Sequence, residues 1–290
     1  MADVLALLAA LAFAFGTVLQ QRGTLDTDAG EGDPHFLTEI IRKPVWLFGA
    51  LAQGLGWVLQ AVALDNGSLI VVQSLCAMSL VFALPIGVRL TDQHVGRRSI
   101  VGAVLTLTGI VVFIAVGQPK GGTQTPDATA WWAAGIASVV AMVVLAVIAQ
   151  RRRGPVAAAL FATAAGIGFA FQAAVTKVWV GDLGGGLSAV LTTWTTYVLV
   201  VSALAGFALQ QSALKTSFLA PAMAASNAST LVISVILGVT VFQETLSNGS
   251  GHMGPAVIGL ALAVVGVVLL AKPTDAESTP SPSPSPSPPT

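Results

Sequence analysis

Nine apolar runs, each long enough to cross about 30 Å of hydrocarbon as a helix, follow one another along the chain. They lie near residues 4–21, 45–64, 69–90, 99–117, 131–149, 156–178, 187–209, 218–242 and 254–271. Inside lipid a backbone N–H or C=O finds no water, so each run has to be a helix rather than an open strand. Short polar links separate several of them, such as 65–68 and 151–155, where three arginines and a proline end one helix and start the next. A water-soluble fold has no room for this pattern. Of 290 residues 54% are hydrophobic and only 9% charged, and the mean hydropathy is +0.83. The first run has no basic stretch before it, so it reads as a span or signal-anchor rather than a cleaved signal peptide. The single cysteine, Cys76, lies in an apolar run and excludes an intramolecular disulfide.

Charge orients the bundle. With nine spans, one side carries Arg22, Arg42, Lys43, Arg89, Arg97, Arg98, Arg151, Arg152, Arg153, Lys215 and Lys272, and the other only Lys120 and Lys177. Eleven against two accounts for all 13 basic residues. Basic residues stay in the cytoplasm, which places the N-terminus outside and the C-terminus inside the cytoplasmic membrane.

The second half also repeats the first. Gly16 and Gln20 match Gly168 and Gln172 at an offset of 152; Leu59, Gln60, Ala63 and Leu64 match Leu209, Gln210, Ala213 and Leu214 at 150. Ser79 matches Ser229, and Asp92 matches Glu244. Gly102 and Gly109 match Gly259 and Gly266, the extra residues falling in 248–251. Five crossings separate matching starts, so the second copy is upside down. The expected fold is an all-α polytopic membrane protein of nine transmembrane helices. Two inverted four-helix repeats, spans 1–4 and 6–9, are joined by span 5. Repeat one covers about 4–117, the linking helix 131–149 and repeat two about 156–271, within a transporter domain of 1–272. Inverted repeats let two halves exchange inward- and outward-open shapes.

Enzyme chemistry has little to use. His35, His94 and His252 fall in loops or at helix ends without metal-ligand spacing, and no G-x-S-x-G elbow or P-loop occurs. No cofactor is implied. The zero net charge gives no sign of nucleic-acid binding. The expected partners are the bilayer and a small solute or cation, and a homo-oligomer is compatible with the sequence. The loop 24–43, with Asp26, Asp28, Glu31 and Asp33, reads as a solvated acidic segment, with cytosolic metal sensing the sharper alternative. The tail, 273–290, ends in a Pro/Ser repeat that cannot pack a core.

No acid lies at mid-span, which argues against a proton relay; the interior holds amides and hydroxyls instead. Asn227, about nine residues into the eighth run, lies ~14 Å deep at 1.5 Å per residue. Ser226, Ser229 and Thr230 surround it. The matching turn of the third run carries Gln73, Ser74, Cys76 and Ser79, and a block of Thr192, Thr193, Thr195, Thr196 and Tyr197 lies in the seventh. Each is ordinary interhelical glue taken alone. Clustered at repeat-related positions, Asn227 and the two turns read as a transport pathway, with Pro221 as the expected helix break beside it. Gln20 and Gln210 fall near the cytoplasmic ends of their runs and Gln60 and Gln172 near the outer ends. That is the arrangement inversion predicts for gates, with interface anchoring as the plainer alternative. Asp65, Asp182 and Glu244 are expected on the outer face, where their field would concentrate cations.

These residues resemble the drug/metabolite transporter superfamily (DMT/EamA-like), and most of all the NIPA-type magnesium transporters, over about residues 4–271. "LQQRG" at 19–23 is similar to the family's "LKKKG", "TSFLAP" at 216–221 to "TSIVTP", and "FQE" at 242–244 to "FKE". Trp46 and Gly49 open the second run as in the family, Asp92 stands where it has glutamate, and "RRRG" at 151–154 forms a similar basic link. Two departures stand at pathway positions. Gln73-Ser74 replaces the family's first "TP", and Gln20 and Gln21 replace two lysines. The resemblance implies alternating-access transport, with Mg²⁺ or another small cation as cargo. A hydrated Mg²⁺ sheds water reluctantly and suits an amide- and hydroxyl-lined site. A neutral or zwitterionic metabolite fits the same lining, so export of a small polar metabolite is the alternative, and a non-transporting membrane scaffold the second.

Overall fold

The computed structural model describes residues 1–25, 42–91, 97–123, 125–183, 186–214, 219–246 and 253–270, and every regular element among them is a helix. In chain order these are α1 (Ala2–Leu25), α2 (Pro44–Asn66), α3 (Leu69–Cys76), α4 (Ser79–Thr91), α5 (Arg97–Gly117) and α6 (Ala128–Gln150). They continue with α7 (Gly154–Asp182), α8 (Gly186–Thr192), α9 (Trp194–Leu214), α10 (Leu219–Thr240) and α11 (Met253–Leu270). Among the described residues, seven stretches are long and apolar enough to cross a membrane, α3 and α4 together forming one, Leu69–Leu90. Two further apolar stretches, Ala224–Thr240 and Gly254–Leu269, are shorter. The chain is a multispan integral membrane protein. Residues 26–41, with most of the acidic loop, and 271–290, with the Pro/Ser tail, lie outside the described residues.

Burial sorts the helices. The apolar window of α7 is 61% buried and that of α6 only 11%, so α7 runs through the centre and α6 lies at the periphery. The sequence explains the centre. Ala158, Ala162, Ala164, Ala165, Ala170 and Ala174 of α7 are wholly buried, and small side chains let helix backbones approach where lipid provides no hydrophobic drive. Glycines make the closest crossings. A methyl group on Gly16 of α1 would lie 2.9 Å from the Gly49 carbonyl oxygen of α2, and one on Gly168 of α7 would lie 3.2 Å from Gly206 Cα of α9. On α5 and α11, a methyl on Gly109 would lie 2.6 Å from the Gly259 oxygen, and one on Gly266 would lie 2.7 Å from the Gly102 oxygen. These two helices therefore cross antiparallel, glycine against glycine. At the other end of α7 the predicted link holds: Gly154 takes φ +66 and Pro155 opens the helix.

Two expectations about helix breaks are corrected. The third run, expected as one helix over 69–90, breaks at Ala77 and Met78. The Ala77 N–H still bonds the Gln73 carbonyl at 3.1 Å, but the Met78 N–H bonds that of Leu75 at 3.0 Å, a tightened turn before α4 restarts. The seventh run, expected as one helix over 187–209, divides at Thr193 into α8 and α9, the latter running on to Leu214; Pro221 lies at the edge of the described part of α10 (Leu219–Thr240).

Candidate functional site

One end of the bundle is held by a buried ion pair. The α3 helix starts where Ser68 caps it, its hydroxyl accepting from the Val71 N–H at 3.0 Å. The preceding N–H groups, of Leu69 and Ile70, donate instead to the two carboxylate oxygens of Glu244, the second at 2.9 Å. A helix N-terminus is an electropositive anion seat, so a carboxylate suits it. From the opposite side Lys177, near the end of α7, donates to Glu244 Oε1 at 2.7 Å and to the Gly67 carbonyl at 3.0 Å. Its ammonium also lies 5.1 Å from the centre of the Phe242 ring. The Lys177 and Glu244 side chains are 3% and 0% exposed.

The local backbone makes this geometry possible. After α10 the chain reverses through Gln243 at φ +53, and the Glu244 N–H returns to the Gly238 carbonyl at 2.9 Å. A methyl on Gly238 would lie 2.8 Å from Glu244 Oε2. The link after α5 pairs alongside: Lys120 N–H donates to the Thr245 carbonyl at 3.0 Å and Thr123 N–H to that of Phe242 at 2.9 Å. The Lys177–Glu244 clasp thus joins the α2–α3 turn, the end of α7 and the segment after α10. Taking two charges out of water costs several kcal/mol each, which the pairing and backbone bonds must offset.

Sequence reading placed Glu244 on the outer face as a collector of cations. That is corrected: the carboxylate is buried and both oxygens are engaged. Asp65 and Asp182 are half-buried in separate surroundings, Asp65 beside Asn66 and Asp182 accepting from the Thr193 and Thr195 hydroxyls at 3.2 and 2.9 Å. Among the described residues no group of three or more His, Cys, Asp or Glu side chains could hold a metal ion.

The predicted pathway residues fall on two helix pairs. On α10, Ser226 is buried, and the Thr230 hydroxyl lies 2.9 Å from the Ser226 carbonyl and 3.1 Å from the Gly166 carbonyl of α7. A methyl on Gly166 would meet Ser229 Cβ at 2.8 Å, and Asn227 is half-buried beside them. On α3, Gln73 and Ser74 are buried; the Ser74 hydroxyl returns to the Ile70 carbonyl at 2.7 Å. The Cys76 thiol points to the Ala6 carbonyl of α1 at 3.9 Å. Ser79, half-buried, begins α4 just past the break. Gln73 Nε2 and Ser234 Oγ are buried without a hydrogen-bond partner, which is where an interior polar solute or water would find a donor. Of the gate candidates, Gln20 lies on α1 against Gly49 of α2. Gln60, Gln172 and Gln210 are half-buried on α2, α7 and α9.

Sequence reading missed Lys177, Gly67, Phe242 and Gly238 as parts of one site. A signal was present: Lys177 stands at the end of an apolar run, where an ammonium calls for a counter-charge.

No family model matches the sequence, and no solved structure matches it. The chain is similar to an uncharacterized protein of Corynebacterium glutamicum, 27% identical over 275 residues, which is 94% of this chain and 95% of that one. The likeness runs through both halves of the bundle and brings no activity with it.

Proposed function

We propose that this chain is a secondary membrane transporter of the drug/metabolite type, working by alternating access, with no enzymatic step. Its nine spans form two inverted repeats, with the N-terminus outside and the C-terminus in the cytoplasm. The observation that carries this reading is the Lys177–Glu244 clasp, which ties the α2–α3 turn of the first half to α7 and α10 of the second. A permanent brace between apolar helices is as well served by apolar side chains, since buried ion pairs yield little net stability. A clasp of charges is suited to opening, because both partners regain water when the halves part. By the charge split it lies on the outer side, so the state described is closed to the outside.

The α5–α11 crossing supports the repeat. Exchange of the halves carries Gly102 onto Gly259 and Gly109 onto Gly266, and so carries the Gly102–Gly266 contact onto that of Gly109 with Gly259. A pseudo-twofold axis between inverted repeats passes through such a crossing. The break in the third span, beside Gln73, Ser74 and Cys76, supports a pathway there.

Mg²⁺ or another small cation is the first cargo, on the resemblance described above. A small polar metabolite is the second, favoured by one observation. The wholly buried carboxylate described here, Glu244, is already neutralised by Lys177. Purified protein in liposomes, loaded with a Mg²⁺-sensitive dye and challenged in turn with Mg²⁺, other cations and polar metabolites, tests both. Flux abolished by locking the clasp with a cysteine pair at positions 177 and 244 is expected. Absence of flux for every solute would leave a membrane scaffold and overturn the transport reading.

A further inference from the structure

A second feature adjoins the clasp, with Phe242 between them. Between the start of α6, the end of α7 and the start of α9 is an open cleft of about 780 Å³, lined by Trp131, Trp132, Asp182, Trp194, Tyr197 and Val198 among others. The sequence builds it simply. Asp127 caps α6, accepting from the Thr129 and Ala130 N–H groups, and so sets the adjacent Trp131 and Trp132 on the first turns. Trp194 opens α9 and stacks on Trp132, centroids 6.2 Å apart and planes at 23°, while Trp131 meets it edge-on at 5.9 Å. Trp131 is itself held from behind by Phe171 at 5.7 Å and Phe242 at 6.3 Å.

A belt of tryptophan and tyrosine at the membrane surface is common, and it accounts for Trp132 and Tyr197, which are 63% and 62% exposed. It does not account for Trp131, 6% exposed, nor for a carboxylate in the wall. Asp182 is positioned by two threonine hydroxyls, both on the same oxygen, and makes no ion pair among the described residues. Among the described residues no lysine or arginine lines the cleft. The last carbonyls of α7 add negative potential at the same place.

We propose that this cleft binds a monovalent organic cation, its ammonium between the Asp182 carboxylate and the indole rings and its apolar body over Tyr197 and Val198. Ring faces attract a cation through their quadrupole, most strongly when it is poorly hydrated. A small metal ion is the wrong guest, because apolar walls cannot replace the oxygen ligands it would give up. The volume suits an organic molecule. A quaternary ammonium reaches such a cleft either as a free solute or as a lipid headgroup. The proposal goes beyond the transport reading and is tested by binding alone.

Isothermal titration of the purified full-length protein in phosphatidylglycerol nanodiscs is the measurement. Benzyltrimethylammonium should bind saturably and more tightly than choline, and 3,3-dimethyl-1-butanol, the uncharged analogue of choline, should not bind. Asp182→Asn should weaken benzyltrimethylammonium at least tenfold while keeping an acceptor for the threonines. Trp132→Leu, at an exposed position that does not threaten folding, should weaken it severalfold. Repeating the titration in phosphatidylcholine nanodiscs separates the sources: a weakened apparent affinity assigns the cleft to the lipid headgroup, an unchanged one to a free solute. No saturable binding, or equal affinity in wild type and both variants, overturns the proposal.

Discussion

Replacing Glu244 by glutamine changes the clasp by one charge and almost no volume. The single amide oxygen can still accept from one of the Leu69 and Ile70 N–H groups, but the amide NH₂ then faces the other, donor against donor. Lys177 keeps the Gly67 carbonyl and the Phe242 ring and loses its counter-charge. Breaking a buried pair by removing one partner costs about 3–5 kcal/mol, and an orphaned backbone donor lies within that range. In an outward-open state both groups are in water and the same substitution costs little. The closed state should therefore lose at least about 3 kcal/mol relative to the open one, a shift of roughly a hundredfold. The native thiol reports it. Cys76, 8% exposed on α3, should react with an impermeant maleimide applied from outside up to a hundredfold faster in Glu244→Gln than in wild type. Lys177→Met should give a smaller rise, because Glu244 retains two backbone donors and the helix N-terminus. The double variant should label more slowly than Glu244→Gln, the stranded ammonium being gone. If Glu244→Gln lowers the melting temperature but leaves labelling unchanged, the clasp is a static brace and the gating argument fails.

Three further outcomes are expected. Gly109→Val places side-chain atoms where Gly259 and Ala263 of α11 already sit; overpacking of this kind costs about 1–3 kcal/mol, and an unchanged unfolding midpoint in detergent would remove this crossing from the core. In a Cys76→Ala background, a cysteine at Thr125 should be labelled by impermeant reagent on intact cells and one at Ser283 should not; labelling of the tail would end the nine-span topology. Asn227→Ala should reduce liposome flux with little loss of folded protein, whereas a cost of about 0.6–2 kcal/mol in stability with normal flux is the mark of helix glue.

Most helices were legible in the sequence because lipid leaves the backbone one option, and their ends agree within a few residues, 45–64 against Pro44–Asn66 for the second; the seventh run, read over 187–209, instead divides at Thr193 and spans from Trp194. The break in the third span was not legible either. Leu75, Ala77 and Met78 are apolar and helix-compatible, and Pro85, the residue that looks like a breaker, sits inside an unbroken α4. The clasp escaped for a different reason. Hydrophobic periodicity reports which face of a helix is apolar, and nothing in it relates Lys177 to a carboxylate 67 residues away. Thr193 and Thr195 were read as part of a polar block within the membrane; their hydroxyls instead orient Asp182, a role visible only once α7 and α9 are side by side.

The order in which the clasp is synthesised has a consequence for biogenesis. Lys177 enters the bilayer with its helix well before Glu244 leaves the ribosome. At about 5–20 residues per second, the 67 residues between them take roughly 3–13 s. Throughout that interval the nascent chain carries a cation at the end of an apolar helix and two bare amide donors at the start of α3, all awaiting one carboxylate. A chain halted before Glu244 is left in that condition permanently, which gives the membrane's quality-control machinery a chemical mark by which to tell an unfinished bundle from a finished one.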